Sequence, residues 1–333
     1  MKKEKKTKQP TSQLLEALDF ISVAQKEQGL PHQTHCRMIN NYIVSMDGVL
    51  SAGSKITEDI VACPHTFMLL MALKKCKETL SLTMLENNRI SVQSGKLKVI
   101  VPCASFDVMQ SSLPDIKCGV IDNKIRLGFE LLSPLISENS QHLATASLYL
   151  KPFSMVATNR HVIFEYWHGY DLPPNLILPK AFINAVMKIK KDIEGFGFSD
   201  RTFTLWFSDG SWLKTQLYKE TWPDVNAILN APIYPSLIPS EFFEALNTIN
   251  SFPKEDKIVY FLNNKLQSTI NENSGVFCDV EGLPNNLAFN TNYLLMLENI
   301  ANKIDFTTYK DKAYFVGENI RGAVCGIHFN QGE

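Results

Sequence analysis

Ser154-Met155-Val156-Ala157-Thr158-Asn159-Arg160-His161-Val162-Ile163 sets β-favouring residues on both sides of a polar Asn-Arg pair. It reads as a strand over 153–158, a turn, and a second strand over 161–167. Working outward, a short helix near 130–139 and a strand over 143–150 are expected before it. A helix over 179–193 follows, opened by Pro179-Lys180-Ala181-Phe182-Ile183. Strands over 203–207 and 212–218 then flank Ser208-Asp209-Gly210, and the block closes on Trp222-Pro223-Asp224.

The same order can be read on either side of that block. The first third offers an amphipathic helix over 12–27 and strands over 34–40, 42–46 and 48–52. A helix over 65–77 follows, then strands over 80–85, 90–93 and 97–101, and a closing Leu113-Pro114-Asp115. The last third opens on Ile238-Pro239-Ser240, with Ser240 as a helix cap and Phe242, Leu246 and Ile249 on one face of a helix over 240–251. A helix over 291–303 and a terminal apolar strand complete it. A unit recurring about every hundred residues is far too long for a solenoid, so each copy is domain-sized. The expected class is α+β, with three repeated domains at 1–118, 119–231 and 232–333, each setting two helices against antiparallel sheet.

Composition narrows the function. A chain of 333 residues, 45 % of them hydrophobic, can bury two or three cores, and a net charge of -1 advertises no nucleic acid globally. Seven widely spaced cysteines form no CxxC pair, which points to reduced thiols in a cytoplasmic protein, with neither zinc nor a redox motif. The basic start, Met1-Lys2-Lys3-Glu4-Lys5-Lys6-Thr7-Lys8, has no apolar run after it and reads as a solvated tail over 1–10, and no stretch is long enough to span a membrane. Catalytic patterns are missing as well: there is no HExxH, no P-loop lysine and no GxSxG. Glu194-Gly195-Phe196-Gly197 reads as a loop after a helix. His35 and Cys36 would face opposite sides of a strand. No enzyme activity and no cofactor are expected.

Taken together, the motifs point to one family. Ser154–Ile163 resembles the VATDGHRLA signature of the bacterial DNA polymerase III beta subunit, the sliding clamp. Leu176-Ile177-Leu178-Pro179-Lys180-Ala181-Phe182 is similar to that family's helix start, and Trp222-Pro223-Asp224-Val225 to its fPdy segment. Each motif is weak alone; what carries the resemblance is their order and spacing, held over about residues 12–327. Two departures stand out: Asn159-Arg160 replaces Asp-Gly, and Cys325-Gly326-Ile327 replaces the Met-Pro-Met ending, as in a divergent, shortened member.

The resemblance implies a closed ring, made by a head-to-tail homodimer, that encircles double-stranded DNA without reading its sequence. Helices would line the hole and sheets would form the wall. The sequence supplies matching lysines. At about 100° per residue, Phe182, Val186, Ile189 and Ile193 fall on one side of the 179–193 helix and Lys188 and Lys191 on the other, with Lys180 and Lys190 nearby. Helix 65–77 ends in Lys74, Lys75 and Lys77. These seven lysines are the candidate DNA-binding residues; the other helices, with Glu16, Asp19 and Glu298, are not basic.

The resemblance further implies a hydrophobic cleft, between the second and third domains, that receives short peptide motifs of the DNA polymerase and the clamp loader. The matching positions are Leu143, Thr158, Arg160, His161, Val162 and Ile163, with Ala323, Val324, Cys325, Gly326 and Ile327 from the terminal strand. Arg160 in place of glycine would narrow that groove or offer a charge to a partner carboxylate. A clamp-fold protein that recruits replication or transcription partners without encircling DNA is the alternative.

Overall fold

The computed structural model describes residues 12–77, 79–109, 112–253, 256–271, 274–309 and 311–329. The expected basic tail therefore lies outside the described residues. The chain divides into two compact units, one of Met1–Glu130 with Leu176–Lys219 and the other of Leu131–Asn175 with Glu220–Glu333. Both mix helices with antiparallel sheet, as the expected α+β class requires.

In the first unit a seven-stranded sheet runs, in spatial order, Arg37–Ile39, Tyr42–Met46, Leu50–Lys55, Trp212–Gln216, Thr202–Phe207, Ile193–Phe198 and Lys117–Val120. Every neighbouring pair is antiparallel. Strands from the first and middle thirds thus share one sheet. A separate three-stranded meander follows the order Ser81–Leu85, Arg89–Ser94, Leu97–Pro102. Helix Ser12–Ile21 packs against strand Leu50–Lys55 and helix Thr66–Lys75. The core includes the wholly buried rings of Phe129, Phe182 and Phe203, with Phe182 edge-on to the other two at 6.4 and 6.0 Å. Burying one such ring contributes about 2–3 kcal/mol.

In the second unit one sheet contains, in order, Ser147–Lys151, Ser154–Thr158, Val162–Trp167, Ile320–Cys325, Lys312–Val316, Lys303–Asp305 and Ser236–Leu237. A four-stranded sheet, Phe277–Asp279, Lys265–Gln267, Ile258–Leu262 and Leu287–Asn290, supports helix Phe242–Ser251. Phe242, Leu246 and Ile249 are buried as expected, and Phe242 meets the rings of Phe261 and Phe306.

Several boundaries differ from the sequence reading, each for a local reason. The first helix stops at Ile21, and a tight turn over Ser22–Ala24 leads to Gln25, whose amide donates to the carbonyls of His32 and Met46 and accepts from Thr66. The helix expected near 130–139 is Lys124–Leu132, followed by a tight turn carrying Pro134. Residues 143–146 form a helical turn before the strand begins at Ser147. The helix expected over 179–193 is only Lys180–Lys188. Beyond it, the Arg126 guanidinium donates to the carbonyls of Ile189 (2.5 Å) and Lys191 (2.7 Å), while Asn123 Oδ1 accepts from the Ile193 N–H (3.1 Å). Ile193 begins a strand, and Glu194-Gly195-Phe196-Gly197 lies within it, where a loop was expected. A Cβ at Gly197 would lie 2.4 Å from the Ile116 carbonyl, so glycine lets the neighbouring segment approach. Glu241, not Ser240, caps helix Phe242–Ser251, with no side-chain bond. The helix expected over 291–303 is Thr291–Leu295, capped by Asn290 Oδ1.

Candidate functional site

The two groups of residues expected to build the cleft come from chain segments about 160 positions apart. The fold makes them neighbours within the second unit. Strand Val162–Trp167 pairs with Ile320–Cys325 in a register that sets Val162 opposite Val324 and Ile163 opposite Ala323. Close approach depends on Gly322, where a Cβ would sit 2.0 Å from the Ile163 carbonyl oxygen. Past Cys325 the chain crosses to the four-stranded sheet: Gly326 bridges Phe289, and the Ile327 N–H donates to the Ala288 carbonyl at 2.7 Å.

These residues do not share one environment. Val162, Ile163, Ala323 and Val324 are buried and act as framework. Leu143, Thr158, Cys325, Gly326 and Ile327 are half-buried, while Arg160 and His161 are exposed. Leu143 begins the helical turn that packs on strand Ser154–Thr158.

The turn between the strands is tightly specified. Asn159 Oδ1 accepts from the N–H groups of His161 (3.0 Å) and Val162 (2.8 Å). Thr158 Oγ1 accepts from the Arg160 N–H (3.1 Å) and donates to the Val162 carbonyl (2.7 Å). Arg160 takes up the left-handed conformation, φ +79°, that the missing glycine would have adopted freely. The tight turn is thus kept with an arginine in the glycine's place. The His161 ring stacks on Tyr293 at 5.8 Å and 18°, and the His161 carbonyl accepts from the Cys325 N–H at 2.7 Å. Burial pushes the Cys325 thiol up, with Lys312 opposing and Asp311 adding to the rise, so it stays protonated near neutrality.

Beneath this lip lies a buried charge that the sequence reading missed. Glu165 is 2 % exposed and accepts from Lys151 (2.7 Å), Ser154 (2.8 Å) and Arg321 (2.8 Å), tying its own strand to three others of the sheet. Burial raises the Glu165 pKa, but these donors outweigh it and hold the carboxyl below its ordinary value. A lone Glu in the apolar run Val162–Trp167 was the available signal, since a buried carboxylate demands partners. Tyr293 offered no comparable sign.

The lysines lie in the first unit, and they divide into two groups. Lys75, Lys77, Lys188 and Lys190 are exposed, and no carboxylate pairs with them among the described residues. Lys74 pairs with Asp19 at 3.1 Å, and Lys180 is also engaged. Lys191 is a brace: it is half-buried, bonds Asp209, and sits 4.4 Å from the centre of the Phe20 ring. The shortened helix explains this, because Lys190 and Lys191 lie in the turn after it and not on its outer face.

Comparison with solved structures places the architecture. The chain superposes on a DNA polymerase sliding clamp from Caulobacter crescentus with a TM-score of 0.80, covering 96 % of this chain and 98 % of that one. This is the sliding-clamp fold. The clamp from Bacillus subtilis matches over the same shares with a TM-score of 0.80, and a clamp from Bartonella birtlesii bound to griselimycin matches at 0.78, over 96 % of this chain and 99 % of that one. Sequence identities are only 15, 13 and 13 %. No protein-family model and no curated protein matches the sequence. The chain thus shares the clamp fold at low sequence identity. No helix among the described residues is long and apolar enough to cross a membrane.

Proposed function

We propose that this chain is a DNA sliding clamp: a non-catalytic ring that encircles duplex DNA and tethers the replicative polymerase in the cytoplasm. The observation that carries the reading is the likeness of fold, nearly end to end, to solved DNA polymerase sliding clamps. The exposed lysines add to it. Lys75 and Lys188 end two helices of one unit and Lys77 and Lys190 lie two residues beyond those ends, and a lumen through which DNA slides needs diffuse positive charge without base-reading groups. Lys74, Lys180 and Lys191 are already engaged and contribute less.

In this reading the chain has three clamp domains, at 1–118, 119–231 and 232–333, and two copies join head to tail. Strand Leu97–Pro102 edges the three-stranded sheet and Phe277–Asp279 edges the four-stranded sheet. Pairing such edges between copies would close the ring and remove exposed templates for aggregation. The lip of Thr158, Arg160 and His161 with Cys325, Gly326 and Ile327 would receive peptide motifs of the polymerase and clamp loader, a few buried anchors carrying most of the affinity.

The test is topological. Light scattering at micromolar concentration should give a species of about twice the 37.6 kDa chain mass. That species should remain on nicked circular DNA through a gel-filtration run and leave when the circle is cut once. A monomer that dissociates equally from circular and linear DNA would favour recruitment of partners without encirclement.

A further inference from the structure

Eleven non-glycine residues among those described have positive φ, and nine of them are asparagine; the exceptions are Phe153 and Arg160. Asparagine tolerates this conformation because its side chain bonds locally, whereas a long side chain there costs on the order of 1 kcal/mol. The chain thus uses asparagine almost wherever it needs a left-handed residue, yet at the lip of the cleft it holds an arginine. The guanidinium has not been recruited for the fold: it is exposed, and no carboxylate pairs with it among the described residues. Its backbone is fixed by the Asn159 and Thr158 bonds, so the direction in which the side chain leaves the turn is set in advance.

Of the nearby chain, Asp311, whose carbonyl accepts from the Gly326 N–H, has its carboxylate already bonded to Lys312. Next to Arg160, the stacked His161 and Tyr293 rings offer a flat surface for an apolar side chain. A cation on a fixed turn, with no carboxylate partner among the described residues and an aromatic slab beside it, suits a segment that brings an apolar anchor and an anion together.

We infer that Arg160 makes this cleft selective for linear peptides carrying a carboxylate beside their apolar anchors. The inference rests on the cleft being a peptide site, as proposed above. A partner with glutamine or serine at that position would leave the guanidinium solvated but unmatched, and one with lysine would be repelled.

The test uses the full chain and fluorescein-labelled six-residue peptides built on a Leu-Phe pair, with either Glu or Gln at each flanking position in turn. Fluorescence polarisation gives the ratio of the two dissociation constants at each position. At one flanking position the Glu peptide should bind about three- to fivefold tighter, with the preference shrinking as salt rises. Arg160→Asn, which suits the left-handed turn, should bring that ratio to about one, and Arg160→Glu should invert it. Equal binding of Glu and Gln peptides at every position would overturn the selectivity while leaving the cleft intact. Binding of no peptide at all would overturn the cleft reading and this inference with it.

Discussion

Helix Lys180–Lys188 in the first unit and helix Phe242–Ser251 in the second are built alike on their inner faces and differently on their outer ones. The first buries Phe182, Ile183, Ala185 and Val186; the second buries Phe242, Ala245, Leu246 and Ile249. Outward, the first carries Lys180 and Lys188, while the second carries Glu244, Asn247 and Thr248 and no basic residue. The apolar face is what the fold requires of any helix laid on a sheet, so both units keep it. The outer face is free to vary, and there the units part: in the first, Lys188 has no carboxylate partner among the described residues, and the second turns Lys151 and Arg321 inward onto Glu165.

The largest effect should come from breaking that inward arrangement. Glu165→Ala removes the shared acceptor of Lys151, Ser154 and Arg321 and leaves two cations over a desolvated hole. A loss of about 3–5 kcal/mol is expected, read as a lowered midpoint in urea denaturation. If the second unit's cations mattered only at the surface, the loss would be under about 1 kcal/mol. The opposite result is expected in the first unit. Reversing Lys75, Lys77, Lys188 and Lys190 to glutamate should leave the denaturation midpoint almost unmoved. Retention on duplex DNA should weaken by about 100-fold at low salt, and its dependence on salt should flatten. Retention that survives this change would break the division between the units. Lys191→Met tests the assignment from the other side: removing the brace on Asp209 and Phe20 should cost about 1 kcal/mol of stability and alter the salt dependence less than Lys188→Met does.

The comparison also explains what could be read without coordinates. Patterns that depend on burial were legible: the apolar faces of both helices and the strands either side of Asn159-Arg160 are where the sequence places them. Helix ends were not, because they are decided by residues distant in the chain. Nothing local to Ile189 says that Arg126 will take its carbonyl, and so Lys190 and Lys191 were set on a helix that had already stopped. Of the proposed cleft, the strands were legible, but the register that brings Val162 to Val324 belongs to the fold, and the resemblance to sliding clamps had to supply it. Glu165 could have been flagged from its apolar neighbours alone.

Acid should separate the units again, by a smaller margin. Asp305 in the second unit is 2 % exposed and accepts from the N–H groups of Tyr234 (2.8 Å), Thr307 (2.9 Å) and Thr308 (3.0 Å), and from both threonine hydroxyls. Burial alone would raise its pKa, but these donors outweigh it and hold the carboxyl far below the ordinary carboxylate range. A depressed folded-state pKa means that the stabilisation is complete above the unfolded value, about 3.9, and fades as pH falls below it. Asp305→Asn should therefore cost about 2 kcal/mol at pH 7 and progressively less below pH 4, judged from urea midpoints across that range. A cost that does not change with pH would mean that shape, and not the charge, holds the turn.

The smallest effect has the opposite sign. Arg160→Asn exchanges a strained left-handed arginine for the residue that occupies nine of the eleven such positions, and loses no ion pair seen among the described residues. Stability should rise by about 0.5–1 kcal/mol, seen as a higher melting temperature, while selectivity for acidic peptides disappears. A residue whose replacement stabilises the fold is kept for some reason other than the fold. If melting fell instead, the guanidinium would be making a structural contact, and its place at the lip would need no ligand to explain it. The two readings predict opposite signs, so even a shift of a few degrees in melting temperature decides between them.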